Sequence, residues 1–213
     1  MIVVPDPVYL YHITHVDNLP SIIESGGLLA NNNVAGDGYV NIAHESIQRR
    51  RHSKQVPCGP GGLLHDYAPF YLGRKSPMLF AIAKESVEGY TAGQAPVIYL
   101  VSKVEAVIAA ELPFVFTDGH AAMDLTDFYD DLANLHQIDW PLLDARYWFD
   151  SDDFPDRARP RQAEFLIHQC APWEIIAGIG VKTDIMKSAV EQILADLAPA
   201  HKPRVLVKTN WYY

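Results

Sequence analysis

Cysteine is nearly missing from this 213-residue chain: only Cys58 and Cys170 occur, with no metal-ligand spacing and too few members for a disulfide framework. Two unpaired thiols suit a reducing cytoplasm. The chain also lacks any stretch of about 18 uninterrupted apolar residues, so no transmembrane helix and no membrane partner are expected. Its first residues, Met1 to Pro7, have neither the basic segment nor the apolar core of a signal peptide, which again predicts a cytoplasmic protein. Several catalytic signatures are missing too. Gly61-Gly62 leads into leucines rather than Gly-Lys-Ser, so there is no phosphate-binding loop. No serine sits in a nucleophile elbow. His12 and His15 stand three apart without a third ligand, so no metal site is expected.

Positive charge is scarce as well. Seventeen lysines and arginines face 26 aspartates and glutamates, a formal charge of -9. The excess is local, because the segment from Asp118 to Asp156 holds eleven acidic residues and one arginine, Arg146. Elsewhere, basic residues cluster at Arg49, Arg50, Arg51 and Lys54, at Arg74 and Lys75, and at Arg157, Arg159 and Arg161. A small basic groove on an acidic body fits a short single-stranded nucleic acid, not a long wrapped duplex.

What is present is an ordinary globular composition, 49% hydrophobic and 20% charged, at a length that suggests one domain over residues 1–213. Val8 to Ile13 predicts a strand. Asp17-Asn18 caps a following helix that Gly26-Gly27 ends, and Ile42 to Arg51 has helical character. Ser53 to Pro69, rich in proline and glycine, reads as a long ordered loop. Ser76-Pro77 starts another helix. Strands are expected at Pro96–Ser102 and Phe114–Thr117, with a short helix over Val104–Ala110 between them. An acidic amphipathic helix is expected over Asp124–His136, and an irregular loop over Trp148–Arg161. A strand at Ala163–His168, a strand near Ile175–Val181, a helix at Asp184–Leu197 and a strand at Arg204–Lys208 complete the chain. Strands and helices mix without a βαβ rhythm, which favours an α+β fold.

Three segments could carry chemistry together: Tyr11-His12-Ile13-Thr14, then His65 to Tyr71 with Arg74 to Leu79, and Arg161-Gln162-Ala163-Glu164-Phe165-Leu166. Glu164 opens an apolar strand, where a carboxylate needs partners. Taken alone, an edge-strand glutamate paired with Arg161 accounts for it.

These blocks, in this order, resemble the DarT family of DNA ADP-ribosyltransferase toxins. The resemblance runs from Tyr9 to Trp211-Tyr212-Tyr213. It also takes in Ile47-Gln48, Arg50-Arg51, Gly61-Gly62, Leu64 to Tyr67, Pro69 to Tyr71, Ser76 to Leu79, and Leu112 to Asp118 with His120. The chain is most similar to the branch that modifies thymidine rather than guanosine. The resemblance implies an ADP-ribosyltransferase fold, α+β, with two packed, mainly antiparallel sheets forming a cleft for NAD as co-substrate. It implies Glu164 as catalytic residue with Arg51 beside it, and His12, Thr14 and Tyr71 as NAD-binding residues. It places His120 near the DNA side of the cleft; Met78 and, from the basic clusters, Lys75, Arg157 and Arg159 are the further DNA-binding candidates. The implied partners are single-stranded DNA and a DarG-like macrodomain antitoxin that removes the modification. An ADP-ribosyltransferase acting on RNA or protein, and an inactive NAD- or DNA-binding module, are the alternative readings.

Overall fold

The computed structural model describes residues 3–34, 36 and 38–213. Ten strands are present among them: β1 (Tyr9–His15), β2 (Gly27–Leu29), β3 (Tyr67–Tyr71), β4 (Val97–Lys103), β5 (Phe114–Thr117), β6 (Phe128–Tyr129), β7 (Glu164–His168), β8 (Cys170–Pro172), β9 (Gly178–Val181) and β10 (Arg204–Val207). The α-helices are α1 (Leu19–Glu24), α2 (Glu45–Ser53), α3 (Pro77–Ala83), α4 (Val104–Ala109), α5 (Trp140–Leu143) and α6 (Asp184–Leu197).

Eight strands share one sheet in the order β10-β9-β4-β1-β3-β7-β5-β6, antiparallel except for β9 with β10; β2 and β8 form a small second sheet. The expected α+β, mainly antiparallel architecture is what forms. The large sheet nearly parts in the middle. β1 follows β4 through seven residue pairs and β3 follows β7 through five, but β1 and β3 meet at the single pair Tyr11↔Tyr71. Two half-sheets diverge from that pair, and the cleft opens where they separate.

β4 explains how the first half-sheet is held. Ile98 and Leu100 pack into a core with Leu10, Leu19, Val190 and Leu194, while Val97, Tyr99 and Val101 pack the other face with Ile13, Leu79 and Tyr212. A strand buried on both faces reads as a continuous apolar run, as Val-Ile-Tyr-Leu-Val does. Each such side chain, fully buried, stabilises by about 1.5–3 kcal/mol. On α6, Thr183 caps the helix by accepting from the Met186 amide at 3.2 Å, and Val190 and Leu194 sit on its inner stripe.

Two expectations fail for identifiable reasons. The acidic segment Asp124–His136 is not a helix: it forms the short strand β6 and a 3-10 turn over Leu132–Gln137. Two of its aspartates bond to backbone amides instead of lining a helical face. Asp131 takes the Ala133 amide and Asp130 the Gly59 amide, each at 2.9 Å. Aspartate commonly competes with helix in this way. Next, the second half of the loop expected over Ser53–Pro69 is partly regular: a 3-10 turn at Leu64–Asp66 leads into β3, which includes Pro69. Proline is tolerated there because Pro69 pairs with Leu166 on one side, while on the other side β1 has already diverged. The minor strands β2 and β8 were not expected at all.

Candidate active site

Glu164 is the first residue of β7, at the point where that strand loses β5. The last paired residues are Phe116 and Phe165; beyond them the Glu164 amide is taken by the Thr117 hydroxyl at 3.2 Å. The chain then turns through Gly119, and the Ala121 amide comes back to donate to Glu164 Oε1 at 3.0 Å. Gly119 is required by this turn: a Cβ there would meet Arg159 Nη1 at 2.6 Å and the Arg159 carbonyl oxygen at 3.0 Å. The Arg159 carbonyl in turn accepts the His120 amide at 3.1 Å.

Arg51, on the last turn of α2, reaches the same carboxylate. Its Nη1 donates to Oε2 at 2.8 Å and to Oε1 at 3.1 Å. Both side chains are buried, Arg51 8% and Glu164 4% exposed, so removing either would leave the charge of the other buried and uncompensated. Only one guanidinium nitrogen is used for the pair, and Arg51 Nη2 has no hydrogen-bond partner among the described residues. Arg161, the partner that simple sequence proximity suggests for Glu164, is occupied elsewhere. It donates to the carbonyls of Leu142, Arg74 and Lys75, and so braces the chain before α3.

His120 Nδ1 lies 3.8 Å from Glu164 Oε1 and accepts the Ala122 amide at 3.2 Å, so its proton sits on Nε2. Burial, together with Arg51 and against the pull of Glu164, lowers the His120 pKa and keeps the ring neutral near pH 7.

The opposite wall comes from β1 and β3. His12 Nδ1 is 2.8 Å from the Pro69 carbonyl oxygen. A carbonyl only accepts, so Nδ1 carries the proton and Nε2 remains an acceptor. This bond crosses the gap between the half-sheets and satisfies a carbonyl that the parted ladder leaves over. Burial lowers the His12 pKa to about 4, so the ring is neutral at physiological pH. Thr14 accepts from Asn18 Nδ2 at 3.0 Å, which leaves its hydroxyl proton free to donate elsewhere. Asn18 thus does not cap α1 with its side chain; it binds Thr14 and both backbone groups of Val40, pinning the 38–43 segment over this wall. Tyr71 lies between the walls, its hydroxyl directed at Met78 Sδ at 3.6 Å. Burial and the neighbouring Glu164 hold its phenol well above the usual range, so it stays protonated.

His12, Thr14, Tyr71, Arg51, Glu164, His120 and Met78 all line one cavity of about 590 Å³, a volume within the range of small-molecule sites. Lys75, Arg157 and Arg159 do not line it. Arg159 is spent on Asp118 and Asp156 at 3.0 and 2.9 Å, Arg157 stacks on Phe154, and Lys75 lies over Tyr213. Asn18, Gln48 and His65 also line the cavity: Gln48 and His65 fall in segments the sequence singles out but were assigned no role of their own, and Asn18 was read only as a helix cap; His65 Nε2 meets Gln48 Oε1 at 3.1 Å. Nothing in an isolated asparagine or glutamine signals such a place. Among the described residues, no helix is long and apolar enough to cross a membrane.

Comparison with known proteins agrees with this geometry. Residues 11–213 match the family model described as ssDNA thymidine ADP-ribosyltransferase, DarT. A DNA ADP-ribosyl transferase from Thermus sp. strain 2.9 is 43% identical over 98% of both chains. The solved structure of Thermus sp. 2.9 DarT in complex with ADP-ribosylated ssDNA superposes with a TM-score of 0.92, at 42% identity over 98% of each chain. The same protein in complex with NAD+ gives 0.89, at 39% identity over 99% of this chain and 100% of that one. A fusion protein from Thermosipho africanus, a DNA ADP-ribosyl transferase joined to a DNA ADP-ribosyl glycohydrolase, is 26% identical across 87% of this chain and 45% of its own length.

Proposed function

The chain belongs to the DarT family of ssDNA thymidine ADP-ribosyltransferases, and from that premise we propose that it transfers ADP-ribose from NAD to thymine N3 in single-stranded DNA, releasing nicotinamide, with Glu164 as the catalytic carboxylate. The observation that carries the reading is the buried Arg51–Glu164 pair on the wall of a cavity large enough for a dinucleotide.

Breaking the nicotinamide–ribose bond builds positive charge at the anomeric carbon. A fixed carboxylate nearby stabilises that charge, as in glycoside hydrolysis. Glu164 Oε1 is already filled by the Ala121 amide and Arg51, whereas Oε2 takes Arg51 alone and can accept from a ribose hydroxyl. Nicotinamide departs neutral from a cationic ring and needs no acid. His12 Nε2 and the Thr14 hydroxyl offer an acceptor and a donor to the ribose and diphosphate arm of NAD, and Tyr71 offers a ring face to nicotinamide. Thymine N3 attacks only as its anion. Arg51 does not deprotonate in proteins, so its spare Nη2 stabilises that anion and Glu164 receives the proton. His120 and Met78 face the entering base. Lys75, Arg157 and Arg159 act at the rim, Arg159 chiefly by fixing the turn that carries Ala121.

The protein then works as a single ADP-ribosyltransferase domain in the reducing cytoplasm. Its role is that of a toxin, countered by a macrodomain antitoxin that hydrolyses the modification, as the fused relative suggests. Incubation with NAD and four homopolymer-biased oligonucleotides, followed by mass measurement, tests the acceptor. Thymine strands gain one ADP-ribose and matched duplex does not, because N3 lies inside the base pair and must be unpaired or extruded. Equal rates on single strand and blunt duplex, or modification of RNA or protein in preference to DNA, would reject this reading.

A further inference from the structure

A second cavity, of about 690 Å³, opens beside the β1–β3 junction. His12, Ile13 and Thr14 line the catalytic cleft, whereas Tyr9 and Tyr11, earlier on β1, line this second groove. Its floor is aromatic. The rings of Tyr9 and Tyr11 lie 6.4 Å apart, and Trp211 meets Tyr11 edge-on at 5.5 Å. Its rim is cationic: Lys103 Nζ sits 5.3 Å from the Tyr9 ring and Lys208 Nζ 5.5 Å from the Trp211 ring.

The row continues towards the active site. Tyr213 carries Lys75 at 5.4 Å, donates its hydroxyl to the Lys75 carbonyl at 2.7 Å, and meets Phe80 of α3 at 5.1 Å. α3 is the helix that presents Met78 to the catalytic cavity. Two acidic groups line the groove: Asp144 is paired with Arg74 at 2.8 Å, and Asp6 has no cation partner among the described residues. Lys103 and Lys208 have no carboxylate partner among the described residues, although the whole chain carries -9.

We propose that this groove carries the part of the single-stranded DNA substrate that lies beyond the modified nucleotide, with bases stacking on Tyr9 and Trp211 and with Lys103 and Lys208 on the phosphates. The proposal deepens the DNA-transfer reading and rests on it. Aromatic faces interleaved with mobile cations are what sequence-tolerant single-strand binding uses. Each lysine, on a flexible four-carbon stem, can swing from its ring to a phosphate when a base takes the ring face. An acidic protein segment would engage the lysines and leave the rings unused, so the observations favour DNA.

The test compares the wild-type protein with the triple variant Tyr9→Ala, Lys103→Glu, Lys208→Glu, none of which touches the catalytic cavity. Transfer is measured by mass on a thymine-containing oligomer of about five nucleotides and on adenine-flanked strands of about twenty, with the target near either end. Wild type should show a KM lower by about tenfold on the long strand of one polarity, and the triple variant should lose that advantage while matching wild type on the short oligomer. Anisotropy with a thymine-free, adenine-only strand should show the same loss of affinity, and it reads the groove without any transfer. If the short oligomer is modified but the long strand has no advantage, or if the variant keeps it, the groove proposal is overturned. If no oligonucleotide is modified at all, the functional reading fails, and adenine-strand binding that is unchanged in the variant removes the groove as well.

Discussion

The two walls of the proposed catalytic cleft, one assigned to the acceptor and the other to the dinucleotide, use their polar atoms in opposite ways. On the acceptor wall, Glu164 is held from several directions before any substrate arrives: by Arg51, by the Ala121 amide, and with His120 close by. On the dinucleotide wall, His12 and Thr14 each spend one end on the protein and keep the other end free. The first wall is charged, buried and fixed; the second is neutral and half-satisfied. This division suits the chemistry, because electrostatic stabilisation works best when its charges are oriented in advance, whereas substrate hydroxyls need open partners. Substitutions on the acceptor wall should therefore strike turnover, and those on the dinucleotide wall should strike NAD affinity.

Arg51 offers the largest expected effect after Glu164 itself. Arg51→Ala leaves a buried carboxylate uncompensated, at a cost of about 3–5 kcal/mol in stability, and should lose most DNA transfer. Arg51→Lys separates two roles, because the native pair uses only Nη1 and an ammonium can replace that contact, but not the spare Nη2. Thermal melts should then show stability largely restored, while transfer recovers only in part. Calorimetry should find NAD binding little changed in the lysine variant. Loss of NAD binding there would move Arg51 to the dinucleotide wall and dissolve the contrast.

His12 probes the other wall, with a smaller effect. His12→Ala should weaken NAD binding about tenfold, the worth of a hydrogen bond or two, with kcat less affected. Glutamine can still donate to Pro69, so His12→Gln should retain more. The same residue predicts a pH dependence. Its pKa is near 4 in the folded protein against 6.5 unfolded, so the unfolded chain binds more protons between those values. Stability is complete above about pH 6.5 and is lost as pH falls towards 4, and His65, also lowered to about 4, adds to the same window. Melts across that range should show a shallower decline in His12→Gln; an unchanged slope would mean that the ring is not held neutral by burial.

The smallest effect should come from Asp118→Ala. Asp118 holds Arg159 at 3.0 Å and the Asp127 amide at 2.9 Å, and so steadies the turn that brings the Ala121 amide to Glu164. Loosening that turn should lower kcat a few-fold without touching NAD affinity. A change in KM for NAD alone would place the turn on the wrong wall.

Much of this was legible in the sequence, and what was not has a physical pattern. β5 and α6 fall where apolar runs and end signals put them, and Ser76 caps α3 as Ser76-Pro77 suggests. These elements are specified locally. β3 was hidden because Pro69 reads as a breaker until the divergence of β1 is known. The helix expected over Asp124–His136 fails because Asp131 takes the amide of its own turn at Ala133, and Asp130 takes the Gly59 amide, which only the tertiary fold brings near. At the site, Arg51, Glu164 and His12, which the family pattern combines, line one cavity. The choice of Arg51 over Arg161 as the partner of Glu164 spans 113 residues, and no local rule encodes it. Lys75, Arg157 and Arg159 were chosen as cations, and charge in a sequence does not show whether it is already neutralised. Arg159 is.

The most direct test of the central claim is single-turnover transfer by Glu164→Gln, which keeps the side-chain volume and an oxygen for the Ala121 amide but removes the charge. Wild type and variant are given NAD and a thymine oligonucleotide, with the product read by mass and NAD binding read by calorimetry. The account predicts that NAD still binds, that the melting profile stays cooperative, and that transfer falls by at least about a thousandfold. A Glu164→Gln protein that binds NAD and modifies thymine at close to the wild-type rate would contradict it and move the catalytic centre elsewhere.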